Sequence, residues 1–166
     1  VELSRNGVEE CPKGYWCPGD GEGQPCPTGR YGSTMGLSSA SCSGRCDAGY
    51  YCPLASTSAR EIACGHKDGA KVFCPAGSTD PQKVHPGYYS VSVDPPLPLM
   101  RKSTGNLIDA DTGGANQASE RKCPPGSYCV EGRRFLCRKG FFGANFGLTK
   151  DTCDGSCQDG HYCPQG

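Results

Sequence analysis

Fourteen cysteines are the residues of this chain with the most specific chemistry, and their count is even. Four pairs share the spacing C-x5-C: Cys11 and Cys17, Cys46 and Cys52, Cys123 and Cys129, Cys157 and Cys163. Thiols at fixed spacing either hold a metal or oxidise to disulfides. Zinc sites use C-x2-C or C-x4-C pairs with histidine partners, and this chain has neither arrangement. Disulfides are therefore the expected chemistry. The cysteines fall into groups of four: 11, 17, 26, 42; then 46, 52, 64, 74; then 123, 129, 137, 153; Cys157 and Cys163 remain. Spacing alone does not fix connectivity. The expected pattern joins first to third and second to fourth: Cys11–Cys26, Cys17–Cys42, Cys46–Cys64, Cys52–Cys74, Cys123–Cys137 and Cys129–Cys153, with Cys157–Cys163 as a short loop. The competing pattern closes Cys26–Cys42 and Cys137–Cys153 directly and leaves Cys11–Cys17 and Cys123–Cys129 as short loops.

Other chemistry is sparse. The three histidines are His66, His85 and His161. Two sit beside glycine near cysteines and one precedes Pro86, so surface-loop positions are expected rather than a Ser-His-Asp site. No catalytic residue and no cofactor is expected, and the chain is read as non-enzymatic. Asp109, Asp111, Gly114 and Glu120 match four positions of a calcium loop. Gly113 stands where a side-chain ligand is needed and no helix is expected on either side, so a polar turn is the expectation. Basic pairs occur at Arg101-Lys102, Arg121-Lys122 and Arg133-Arg134, with Glu120 and Glu131 close in sequence. They read as a solvated, charge-mixed surface, and a site for an acidic glycan is the sharper alternative. No N-x-Ser/Thr acceptor exists. Candidates for O-linked sugar are Ser33, Thr34, Ser38, Ser39, Ser41, Ser56, Thr57 and Ser58, together with Pro95, Pro96 and Pro98 if hydroxylated.

Composition explains why sulfur must position these groups. Leu, Ile, Val and Phe together make only 22 of 166 residues, while Gly and Pro number 25 and 14. So few large apolar side chains cannot bury enough area to offset the entropy of an ordered backbone. A disulfide closing a loop of ~15 residues contributes roughly 3 kcal/mol, chiefly by restricting the unfolded chain. Bridges of this kind persist in oxidising compartments, which predicts a secreted or cell-surface protein. Seventeen basic and seventeen acidic residues cancel, so no electrostatic footprint for nucleic acid exists. No apolar run approaches a membrane span. The chain opens at Val1, which reads as a mature chain or a fragment.

The strongest organising signal is an internal repeat. A shift of 111 positions carries Cys26, Gly29, Gly32, Gly36, Leu37, Cys42, Gly44, Cys46, Gly49, Tyr51 and Cys52 onto identical residues from Cys137 to Cys163. A shift of 112 does the same for Cys11, Pro12, Gly14 and Cys17. Each C-x5-C pair has Gly three positions after its first cysteine, followed by an aromatic: Trp16, Tyr51, Tyr128 or Tyr162. Such a step calls for positive φ at the glycine, with the ring lying over the neighbouring bridge. Gly87-Tyr88-Tyr89 has the same form without cysteines. It lies in a Cys-free stretch, 75–122, in which 89–93 alternates as a strand would and Pro95, Pro96 and Pro98 stop it.

The strings Cys11-Pro-Lys-Gly-Tyr-Trp-Cys-Pro, Cys26-Pro-Thr-Gly-Arg-Tyr-Gly and Cys42-Ser-Gly-Arg-Cys-Asp-Ala-Gly-Tyr-Tyr-Cys-Pro, with their second copy from Cys123, resemble ephrin-receptor-like, growth-factor-receptor-type cysteine-rich repeats. Arrays of such repeats occur in extracellular proteins of protists and algae, including flagellar-hair (mastigoneme) proteins. The expected fold is small and disulfide-rich, mostly irregular with short β-hairpins, in elongated tandem modules: 1–42, 43–74, a Cys-free linker or extended hairpin at 75–122, then 123–153 and an incomplete module at 154–166.

Two functions follow as expectations. The first is a structural subunit of an extracellular filament, a helical homopolymer assembling head to tail through repeat edges and carrying O-linked glycans. The second is a receptor or adhesin fragment binding a protein or glycan. Phe141 and Phe146 exceed the repeat pattern and are the candidate contact residues for either.

Overall fold

The computed structural model describes residues 9–93 and 116–166. Its architecture is a series of two-stranded antiparallel hairpins, each made from strands consecutive in the chain. They are β1 (Tyr15–Trp16) with β2 (Gln24–Pro25), β3 (Arg30–Tyr31) with β4 (Gly44–Arg45), and β5 (Tyr50–Tyr51) with β6 (Ile62–Ala63). Next come β7 (Val72–Phe73) with β8 (Gln82–Lys83), β9 (Tyr88–Ser92) with β10 (Gln117–Lys122), β11 (Ser127–Val130) with β12 (Arg133–Leu136), and β13 (Phe141–Phe142) with β14 (Gly155–Ser156). A single 3₁₀ turn, Gly69–Lys71, precedes β7. The disulfide-rich, hairpin-built fold expected from the sequence is what forms. The hairpins cross the cysteine-based module limits, however: β3–β4 spans 42/43, β7–β8 spans 74/75, and β13–β14 spans 153/154.

One turn recurs eight times. Glycines 14, 29, 49, 77, 87, 126, 140 and 160 all have φ between 76° and 86°. In each case the residue after the glycine donates its N–H to the carbonyl three positions back, from Tyr15 to Pro12 at 3.1 Å through to His161 to Gln158 at 3.0 Å. Positive φ at the third residue of a four-residue turn is the type II signature. Pro86 and Pro125 stand at the second position of their turns, where proline's fixed φ suits type II. Gly87 obeys the rule without cysteines, as its sequence suggests.

The turn decides the disulfides. It reverses the chain directly after the first cysteine of each C-x5-C pair, which brings Cys17 to 5.9 Å from Cys11 between Cα atoms. The bridges are therefore Cys11–Cys17, Cys26–Cys42, Cys46–Cys52, Cys64–Cys74, Cys123–Cys129, Cys137–Cys153 and Cys157–Cys163. The interlocked first-to-third pattern is wrong, and only Cys157–Cys163 survives from it. What links one cysteine unit to the next is backbone hydrogen bonding. Cys26, Cys46, Cys64, Cys123, Cys137 and Cys157 donate their N–H groups to the carbonyls of Gly14, Gly29, Gly49, Gly87, Gly126 and Gly140, at 2.8–3.0 Å.

Three of these glycines are held from both sides by one disulfide. Gly29 donates to Cys52 and accepts from Cys46; Gly49 donates to Cys74 and accepts from Cys64; Gly140 donates to Cys163 and accepts from Cys157. Each turn is thus gripped by a bridged cysteine pair further along the chain.

Buried apolar side chains are few, and most of them are cysteines. One cluster is Cys64, Val72 and Cys74 with Tyr51 against it; another is Tyr89, Cys123 and Cys129 with Val91. Two rings cover bridges in this way, Tyr51 against Cys64 and Cys74 and Tyr89 against Cys123 and Cys129. The β9–β10 hairpin is the extended hairpin expected in the Cys-free stretch, and it joins the two cysteine blocks. Its Gln117 carbonyl accepts from Cys74 N–H at 2.8 Å, while Tyr89 packs on the bridge of the second block. The β11–β12 hairpin turns through Glu131 and Gly132, both at positive φ, the type I′ form. This tip docks back on the first block. Gly132 accepts from Ser90 N–H at 3.0 Å, and Glu131 pairs with Lys71 at 3.1 Å.

Non-reducing peptide mapping is expected to recover the Cys11–Cys17 and Cys46–Cys52 pairs; peptides joining Cys11 to Cys26 would show that the local pattern is mistaken. A methyl group on Gly132 would drive into the Ala70 carbonyl, whereas one on Gly140 meets nothing within 4 Å. Gly140→Ala should lose only the roughly 1–2 kcal/mol of a left-handed non-glycine residue. Gly132→Ala should lose about 3 kcal/mol or more. Urea midpoints of the oxidised variants read the difference, and equal losses would refute the docked tip.

Candidate assembly face

The most exposed aromatics lie together at the β13–β14 end. Phe142, Phe146 and Tyr162 are 43%, 60% and 83% exposed. Phe141, Phe142, Gly143, Tyr162 and Pro164 line an open groove of about 470 Å³. The Gly140 turn sets the position of Phe141 and Phe142, and the Gly160 turn sets that of Tyr162. Of the two residues singled out from the sequence, Phe141 lines the groove, half-buried beneath the Arg138 guanidinium 5.3 Å from its ring centre. Phe146 lies outside the lining, on the exposed loop between β13 and β14. Sequence reasoning missed Phe142 and Tyr162, because both fit the repeat and so read as packing residues.

The repeat itself explains the exposure of Tyr162. Its counterpart Tyr51 is half-buried against Cys64, Val72 and Cys74, and Cys52 N–H donates to the Ser78 carbonyl at 3.1 Å. Gly126 meets Gly166 as Gly14 meets Ala55, one repeat earlier, so the two copies superimpose up to that point. Among the described residues nothing takes the places of Cys64, Val72, Cys74 and Ser78 around Tyr162. Gly160 N–H and C=O and Cys163 N–H likewise meet no partner among the described residues.

A carboxylate fixes the loop that carries Phe146. Asp154 Oδ2 accepts from the N–H groups of Ala144 and Asn145 at 2.6 and 3.0 Å, and Oδ1 accepts from Asn145 Nδ2 at 3.0 Å. The first copy has Ser43 there, whose Oγ accepts from Ser33 N–H at 2.9 Å. Nearby, Arg138 faces Asp151 at 3.7 Å. Tyr128 stacks on Phe135 at 5.4 Å, and its hydroxyl is pushed up in pKa, first by burial and then by Asp151.

The remaining candidates separate. Ser33, Thr34, Ser38, Ser39, Ser41, Thr57 and Ser58 are exposed. Ser56 is not a sugar site: it is 4% exposed and donates its hydroxyl to Pro53 O at 2.7 Å. Pro95, Pro96, Pro98, Arg101, Lys102, Asp109, Asp111, Gly113 and Gly114 lie outside the described residues. Glu120 and Glu131 pair with His85 and Lys71 instead of the basic residues beside them in sequence. His85 is exposed, with Nδ1 2.7 Å from Glu120. Arg134 instead lies over the Tyr89 ring at 5.9 Å. Among the described residues no His, Cys, Asp or Glu group is placed to hold a metal, and no helix is long and apolar enough to cross a membrane. No family model, no curated protein and no solved structure matches the chain.

Hydrogen bonds from Asn145, side chain first and then backbone, and from Ala144 hold the Asp154 carboxyl below its ordinary pKa. The folded value lies below the unfolded one, so this staple is complete above the unfolded pKa and fades as pH falls through the folded value. In an NMR titration the Ala144 and Asn145 amides should keep their bonded shifts through the usual carboxylate range and lose them only at lower pH. Asp154→Ala should remove that transition; amides that titrate at the unperturbed carboxylate pKa would contradict the staple.

Proposed function

We propose that this chain is a structural, non-enzymatic element of an extracellular filament or cell-surface appendage. The observation that supports the reading best is the repeated grip between units. It uses only backbone groups, a glycine turn and a disulfide. A contact built that way can be added unit after unit with little demand on surrounding side chains. Seven bridges require an oxidising environment to persist, which favours a secreted chain. The resemblance of its cysteine strings to ephrin-receptor-like repeats of extracellular proteins points the same way. Sugars on the exposed Ser38, Ser39, Thr57 and Ser58 suit that setting.

The test is self-association. Chain produced through a secretory pathway should sediment as oligomers or show regular filaments in negative stain, disperse on full thiol reduction, and carry an intact mass above that of the bare polypeptide. A stable monomer that titrates a soluble protein or glycan would reject the filament in favour of a receptor or adhesin role.

A further inference from the structure

The β3–β4 hairpin carries a charge arrangement that its fold does not require. Arg30 and Arg45 are direct cross-strand partners, so their side chains leave the same face of the pair. Like charges set opposite each other destabilise a strand pair. The second copy of the repeat builds the same hairpin with Phe141 opposite Ser156, so neither arginine is needed to form it. Arg30 Nη1 donates to the Ser41 carbonyl at 2.7 Å, and its remaining donors meet no acceptor among the described residues. The Arg45 stem lies over Gly77, where an added methyl group would come within 3.3 Å of Cδ. The Arg45 guanidinium meets no carboxylate and no carbonyl among the described residues. With Asp47, Tyr50, Arg60, Ala76 and Val93 it borders an open groove of about 420 Å³. Arg60 lies over the Tyr50 ring at 5.8 Å and pairs with Asp47 Oδ2 at 2.9 Å. Asp47 Oδ1 meets no donor among the described residues.

We propose that this groove binds a sulfated sugar of an extracellular polysaccharide. A sulfate ester has three terminal oxygens, enough to accept from the Arg30 and Arg45 guanidiniums together. A carboxylate has two, and a single guanidinium fork engages both. The sugar ring rests against Tyr50, Ala76 and Val93, an apolar floor beside the charge. Its hydroxyls donate to Asp47 Oδ1, a group that would repel an acidic peptide. Seventeen basic and seventeen acidic residues cancel over the whole chain, so the attraction is local to this hairpin. The inference is separate from the filament reading. The groove serves a single chain or an assembled one equally, by holding it in a sulfated coat.

Biolayer interferometry of the whole oxidised chain on immobilised dextran sulfate tests the site. Wild type should bind dextran sulfate and ignore unmodified dextran. Arg45→Gln keeps the stem on Gly77 and removes the charge. It should weaken binding about tenfold, with its urea midpoint unchanged or raised by relief of the Arg30 repulsion. Arg133→Gln removes a charge on β12, outside the groove lining, and should bind as wild type does. Equal losses in the two variants would reduce the effect to bulk charge and overturn the site. So would unchanged binding by Arg45→Gln, or a wild type that ignores the sulfated polymer. Binding to polygalacturonate as tight as to dextran sulfate overturns the choice of sulfate, and a preference for poly-glutamate overturns the sugar. Sedimentation of wild type without polymer reads filament formation separately, so each proposal can fail while the other stands.

Discussion

The fold depends on one arrangement: a glycine turn whose two backbone polar groups are held by the two halves of a disulfide. Gly29 between Cys46 and Cys52 shows it most plainly. The sulfur bridge fixes two cysteine backbones at a set distance, and the turn presents an N–H and a C=O spaced to meet them. Glycine is required twice over at Gly29. Its φ of 79° is costly for other residues, and a Cβ would collide with the Gly77 carbonyl. A side chain there would break both the turn and the stacking of the next unit.

This arrangement substitutes for an apolar core. A bridge over the six-residue separation of Cys11–Cys17 contributes about 2.4 kcal/mol through the unfolded state, and one over sixteen about 3 kcal/mol. The difference is small, because loop-closure entropy grows only logarithmically. Short local bridges therefore give up little relative to long interlocked ones. They also leave the joining of units to hydrogen bonds that are shielded by rings such as Tyr51 and Tyr89, where an unmade bond is costly.

Much of this was legible in the sequence, and the limits have physical causes. The Gly-aromatic steps announced their positive φ, even at Gly87, because only glycine tolerates that conformation cheaply. The repeat announced itself and reappears in detail: Cys42 and Cys153 share φ values of 49° and 48°. Connectivity was not legible, since C-x5-C spacing permits both patterns; the turn's reversal decides it, and that is a matter of three-dimensional path. The assembly face was half legible. Phe141 and Phe146 stood out as departures from the repeat, but exposure depends on what covers a side chain. Tyr162 differs from Tyr51 in its neighbours and not in its own position. Ser56 reads as a polar loop residue, yet its hydroxyl is turned inward on Pro53.

Because the repeated contact draws on backbone and sulfur, the two copies are free to diverge elsewhere, and they do so at one instructive place. Between Cys129 and Cys137 the chain reverses in two residues, and the Glu131-Gly132 tip locks onto Lys71 of the preceding block and Ser90 of the joining hairpin. Between Cys17 and Cys26 the chain is one residue longer and carries Gly19, Gly21 and Gly23. Gly19 and Gly21 adopt positive φ with nothing within 4 Å. The same corner of the repeat is thus a rigid latch in one copy and an open projection in the other. Continuity of the stack resides in glycines and cysteines that the two copies share. Whatever distinguishes one unit's role from another's resides in loops such as these, which the stacking interaction leaves unconstrained.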